Sequence, residues 1–302
     1  MTPTGLRAGH GGPFEGLVPV DGAQLYCRAV GDGPPIVVLH GGPDFDHTYL
    51  LPELDRLADG FRLVYYDQRG RGRSSGSVEP DEVGIESEIA DLDVVRQRLG
   101  SESVAILGHS WGGVLAMEYA TRHPDRVSHL ILLNTAPASA EDAVVFRRHL
   151  QRTRPPGDVE QLQAIASSVG YGAGELEAET AYYRLHFRTA LRDPVQLEQV
   201  VGRLRAHFAE DDVLKARAIE QRLYDDTWNR EGYDLVPSLQ TLEVPALVLH
   251  GADDFVPVAL AARIARALPN GRLSVLEGCG HFAYLEAPSA LHEHVGALFE
   301  SH

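Results

Sequence analysis

Short, continuous apolar runs recur along the chain, and they constrain its fold more than any other feature. Pro35-Ile36-Val37-Val38-Leu39 is the first, followed by Arg62-Leu63-Val64-Tyr65-Tyr66, Val104-Ala105-Ile106-Leu107 and Leu130-Ile131-Leu132-Leu133. Ala246-Leu247-Val248-Leu249 and the stretch 272–276 resume the series late in the chain. A strand with one wet face alternates apolar and polar residues. A run that is apolar at every position suits a strand covered on both faces, as in a parallel sheet. Helical spacing appears between the runs at 48–58, 84–99 and 112–122, the last stopped by Pro124, and again at 258–268 and 288–299. The alternation predicts an α/β domain with a doubly wound, mostly parallel sheet. Two earlier strands, 16–20 and 23–30, flank the turn Asp21-Gly22.

From about 140 to 237 the apolar runs stop and charged amphipathic helices take over, 195–208 and 213–224 among them. The expected organisation is a core built from 1–139 and 238–302, with 140–237 inserted as a helical cap. Such a cap belongs over the carboxyl ends of the strands, where open α/β sheets bind ligands.

With 302 residues, 44% of them hydrophobic, the chain can bury a sizeable core. Its 27 basic and 43 acidic residues give a net charge of −16, which argues against nucleic acid and anionic membranes as partners. No stretch reaches the roughly 20 apolar residues of a membrane span, and the opening residues lack the apolar middle of a secretory signal. Cys27 and Cys279 lie far apart and form no metal-binding pattern. These features predict a cytoplasmic enzyme with free thiols and no metal, and they leave the oligomeric state open.

Gly108-His109-Ser110-Trp111-Gly112 follows a buried run directly and opens a helical stretch, the context in which G-x-S-x-G carries chemistry. A sharp strand-to-helix turn presents the Ser110 hydroxyl outward, and flanking glycines remove side chains that would collide. Gly72-Arg73-Ser74-Ser75-Gly76 fits the same pattern but lies in a polar loop with no strand leading straight in, so context favours Ser110.

A serine hydroxyl needs a base. Of fourteen histidines, His281 stands after the final strand on the glycine-rich loop Gly278-Cys279-Gly280-His281-Phe282. His40 and His250 end strands and suit structural roles. The base needs an acid to hold its tautomer. Asp253 and Asp254 both follow Gly251, and the G-x-x-D spacing favours Asp254. The order Ser, Asp, His fits the α/β-hydrolase arrangement. His40-Gly41-Gly42-Pro43 ends the third strand, so the N–H groups of Gly42 and Trp111 are the expected oxyanion donors. His10-Gly11-Gly12-Pro13 repeats the tetrapeptide without a strand before it. The segment Asp67-Gln68-Arg69-Gly70-Arg71-Gly72 is expected to brace loops rather than to react.

Together, His40-Gly41-Gly42-Pro43, Asp67-Gln68-Arg69-Gly70, Gly108–Gly113, Gly251–Asp254 and Gly280-His281-Phe282 resemble the proline iminopeptidase branch of the α/β-hydrolases. The resemblance implies a helical cap, no cofactor, an acyl-enzyme route, and small-molecule or short-peptide substrates. It also implies carboxylates that bind the substrate's free amine, for which Glu231 and Glu220 are candidates, with Trp228 as a third substrate-binding candidate. Two positions depart from the family. Asp44 stands where the branch has a final glycine, and Phe255 stands where one subgroup has a glutamate. An esterase or lactonase with the same triad is the alternative, and a non-catalytic ligand receptor on the same fold is the alternative of another class.

Overall fold

The computed structural model describes Leu6, residues 12–74, Gly76 and residues 78–301. Its sheet contains β1 (Phe14–Val20), β2 (Ala23–Val30), β3 (Pro35–Leu39), β4 (Arg62–Tyr66), β5 (Val104–His109), β6 (Val127–Leu133), β7 (Ala246–Gly251) and β8 (Gly271–Leu276). Their spatial order is β1-β2-β4-β3-β5-β6-β7-β8. The pairs β1/β2 and β2/β4 are antiparallel, and every pair from β4 onward is parallel. This is the doubly wound, mostly parallel sheet that the apolar runs predict.

Helices α1 (Ile85–Leu99) and α2 (Trp111–Arg122) precede β6, and α3 (Ala140–Thr153), α4 (Pro156–Ala166), α5 (Val169–Ala173), α6 (Leu176–His186), α7 (Pro194–Arg203), α8 (Glu210–Asp226) and α9 (Val236–Leu239) lie between β6 and β7. Helix α10 (Val258–Ala267) joins β7 to β8, and α11 (Ala283–Glu286) and α12 (Pro288–Glu300) follow.

The continuous apolar runs are explained by two separate cores. Val37, Leu39 and Ile106 face one core with Leu92 and Leu115 of α1 and α2. Ile36, Val38 and Leu107 face the other with Leu291 and Val295 of α12. In β3 to β7 an apolar residue is therefore buried whichever way it points, and each such Val, Leu or Ile contributes about 1.5–3 kcal/mol of transfer free energy. Strand β8 departs from the expectation, with Leu273 and Val275 exposed at the sheet edge.

The segment 48–58 departs from the expected helix. It forms two tighter 3₁₀ turns, His47–Leu50 and Glu53–Asp59. Pro52 separates them, because it offers no N–H and disfavours helical backbone at Leu51. The stretch 195–208 is also shorter than expected, since α7 ends at Arg203. At the base of the segment between β6 and β7 the chain closes on itself: Ala140 N donates to Tyr233 O at 2.9 Å and Leu235 N to Ala138 O at 3.0 Å. Among the described residues no helix is long and apolar enough to cross a membrane.

Candidate active site

The chain leaves β3 in one direction to β4 and later returns on the other side to β5, so the loops after β3 and β5 part company side by side. Ligands gather at such a divergence. Leu39 and Gly108 are register partners there. Ser110 follows immediately with φ 54 and ψ −118, a backbone conformation that costs free energy for a residue with a side chain. The turn is tight enough that only glycine fits beside it. A Cβ on Gly108 would lie 2.3 Å from Gly112 O, and one on Gly112 would lie 2.2 Å from Leu39 O. Trp111 is the first residue of α2, so its N–H has no carbonyl one turn back and points out at the positive end of the helix.

His281 sits on the loop after β8, buried, with Nδ1 2.9 Å from Asp254 Oδ1 and 3.1 Å from Oδ2. Asp254 follows β7 and its carboxylate is fully occupied: Val256 N donates to Oδ1 at 2.8 Å and Asn134 Nδ2 to Oδ2 at 2.7 Å. Burial pushes this carboxyl up, but the imidazoles of His281 and His250 and its hydrogen bonds outweigh that and hold it below the usual aspartate value. Asp253 instead is exposed and lies 3.7 Å from Arg192. The structure thus brings Asp254, and not its neighbour, to His281.

Ser110, His281, Gly42 and Trp111 all line one cavity of about 170 Å³, whose walls are largely aromatic. No hydrogen bond joins the Ser110 hydroxyl to His281 in the structure. Such bonds are often long until substrate arrives. Of the three further candidates, Glu220 and Trp228 line the cavity. Trp228 stacks on Tyr224 at 5.1 Å and donates through Nε1 to Pro137 O. Glu231 is a correction: it is exposed beyond α8 and does not reach the cavity, because the chain turns outward there. Glu220 accepts from the Tyr224 hydroxyl at 2.7 Å. Burial and then the nearby Asp44 charge push its carboxyl up to about 8.

The decoys and braces take structural positions. Ser74 is buried, donating to Asp67 O at 2.7 Å and accepting from Tyr26 N at 2.8 Å, while Ser75 lies outside the described residues. His10 and Gly11 of the repeated tetrapeptide also lie outside them. His40 is bonded on both ring nitrogens, to Gly41 O and to Gln68 N, and burial lowers its pKa to about 4. Arg69 grips Asp91 through two nitrogens at 2.9 and 2.6 Å, and Arg71 pairs with Glu88 at 2.7 Å. The segment 67–72 therefore ties loops to α1.

Residues 34–288 match the family model described as alpha/beta hydrolase fold. This chain belongs to that family. A proline iminopeptidase from Lactobacillus delbrueckii subsp. bulgaricus is 30% identical to this alpha/beta hydrolase over 284 residues, covering 90% of this chain and 92% of that one. A solved proline iminopeptidase from Mycobacterium smegmatis superposes with a TM-score of 0.70 at 22% identity, covering 95% and 98% of the two chains. An esterase from Rhodococcus sp. gives 0.73 at 21%, covering 96% and 98%. Both structural matches, at such identities, speak to the fold alone.

Two site residues of this alpha/beta hydrolase escaped the sequence reading. Asn134 follows β6 at φ 47, and its amide holds Asp254 and also donates to Gly280 O at 2.9 Å. An asparagine directly after a buried strand was its only signal. Tyr49, within the first 3₁₀ turn, had none.

Proposed function

We propose that the protein is a serine hydrolase that cleaves a small amide or ester through an acyl-enzyme. The contact between His281 Nδ1 and the Asp254 carboxylate, on the wall of the cavity that Ser110 also lines, carries this reading. Because Asp254 accepts from Nδ1–H, the other ring nitrogen is left as a base. His281 takes the Ser110 proton as the hydroxyl attacks a carbonyl. The N–H groups of Gly42 and Trp111 meet the oxyanion, and the leaving group collects the proton from His281. Water then releases the acyl group by the same path. The helices between β6 and β7 act as a cap: Tyr183, His186 and Phe187 of α6 and its end supply part of the cavity wall.

Two acidic side chains support a substrate with a free amine, whose positive charge would favour ionisation of Glu220 beside Asp44. Asp44 and Glu220 both line the cavity, and Asp44 Oδ1 is buried with no hydrogen-bond partner. An ammonium group placed there would answer both. A simple esterase or lactonase is the second reading. Phe255, which packs on the His281 ring at a centroid distance of 4.4 Å, favours it by making the acid-side wall apolar.

A panel of proline and other aminoacyl nitroanilides, nitrophenyl esters and lactones separates the two. Turnover of aminoacyl arylamides with loss of activity on N-acetylated versions supports the amine-binding reading. Ester turnover alone replaces it with the second.

A further inference from the structure

Three loops must hold their relative positions if the mechanism above is to work: the one after β3 with Gly42, the one after β5 with Ser110, and the one after β8 with His281. They come from distant parts of the chain, yet a single line of hydrogen bonds joins them. Gly41 N lies 2.8 Å from the Tyr49 hydroxyl, that hydroxyl 2.7 Å from His109 Nδ1, and His109 Nε2 3.0 Å from His281 O.

The direction of every bond is fixed by its ends. A backbone N–H only donates and a carbonyl only accepts. Gly41 therefore gives its proton to the phenol oxygen, and His109 gives one to His281 O from Nε2. Burial lowers the His109 pKa to about 3, so the ring is neutral and carries a single proton. Its Nδ1 is then an acceptor, and the Tyr49 proton fills it. Burial likewise raises the Tyr49 pKa, which keeps that proton in place. The spacing is also tight in the packing sense. A Cβ on Gly41 would lie 2.9 Å from the Tyr49 oxygen and 3.0 Å from Ser110 Cβ, so any larger residue would crowd both.

We propose that the Tyr49 hydroxyl is a positioning group for the reaction: it sets the oxyanion loop against Ser110 and, through His109, against the loop bearing His281. The inference rests on the serine-hydrolase reading above. Tyr49 touches no reacting atom in this scheme. It acts by keeping the Gly42 N–H aimed at the place where charge develops, and displacements near 1 Å in such sites can cost about 100-fold in rate.

The test compares wild type, Tyr49→Phe, His109→Gln and His109→Leu on nitrophenyl acetate and on a fluorophosphonate, with thermal unfolding of each. Tyr49→Phe should lower kcat by about 10- to 100-fold with KM within about twofold. Fluorophosphonate inactivation should slow in the same proportion, because its phosphoryl oxygen occupies the same donors. His109→Gln keeps one acceptor and one donor and should retain more kcat than His109→Leu. A bond that only stabilised the fold would move the unfolding temperature and leave kcat per folded molecule unchanged. Tyr49→Phe with wild-type kcat and inactivation rate, or His109→Leu matching His109→Gln, overturns the proposal. Failure of the wild type to be labelled would instead remove the serine-hydrolase reading beneath it.

Discussion

Asp44, on the loop after β3, is buried against the guanidinium of Arg205, which lies just past the end of α7. Arg205 Nη1 also donates to Asp44 O at 3.1 Å, and the Tyr183 hydroxyl donates to Asp44 Oδ2 at 2.8 Å. Arg205 Nη2 lies 2.9 Å from Glu179 as well, and Glu179 pairs in turn with Arg217. A line of alternating charges thus runs from the core loop into the helices between β6 and β7. It begins at a position where the resembling family carries glycine.

Removing Arg205 should leave buried Asp44 without a cation and Glu179 with Arg217 alone. Arg205→Met is expected to lose about 3–5 kcal/mol in urea unfolding, the usual result of breaking a buried pair on one side. A loss below about 1 kcal/mol, the worth of a surface ion pair, would contradict the picture of a buried strut.

The neighbouring acids Asp253 and Asp254 should separate cleanly. Asp254→Asn removes the acceptor that holds the His281 tautomer and should lower kcat by about 10⁴-fold. Asp253→Asn changes an exposed side chain and should leave kcat within about twofold, since surface substitutions have small effects. Steady-state kinetics on any substrate from the panel decides this. Equal losses would dissolve the distinction.

Glu220 gives stability a pH dependence of unusual sign. Its folded value of about 8 lies above the unfolded carboxyl value, so the folded protein keeps a proton that the unfolded chain has already released. Stability is therefore lost as pH rises from the ordinary glutamate range toward 8. Asp254 runs the other way. Its depressed value contributes stability that is present above the ordinary aspartate range and disappears only as pH falls through the lower folded value. The unfolding temperature of Glu220→Gln relative to wild type should accordingly improve between pH 5 and pH 8. A constant difference across that interval would mean Glu220 is ionised in the folded protein.

The centre of the sheet was legible because β3 to β7 are buried on both faces, so Ile36 through Leu39 or Ala105 through Leu107 carry no polar interruption to obscure them. Ser110 and His281 were legible for a different reason: each is flanked by glycines that backbone crowding requires, as the contacts of Gly108 and Gly112 illustrate. Spacing from Gly251 was enough to prefer Asp254. What escaped was held by contacts across long sequence separations. Arg205 reaches Asp44 and Tyr49 reaches His109 from elements whose local patterns show only ordinary amphipathic or aromatic residues. The Glu231 expectation failed similarly, since an acidic residue near a helix end looks alike whether it faces a cavity or water. Pro52 was visible, but the apolar spacing around it suggested one helix where two short turns form.

In the proposed mechanism chemistry passes through the hydroxyl at the turn between β5 and α2. Measuring kcat of Ser110→Ala on the best substrate of the panel tests it most directly. The expected result is a fall of about 10⁶-fold with the unfolding transition retained. A variant that keeps most of the wild-type turnover would contradict it.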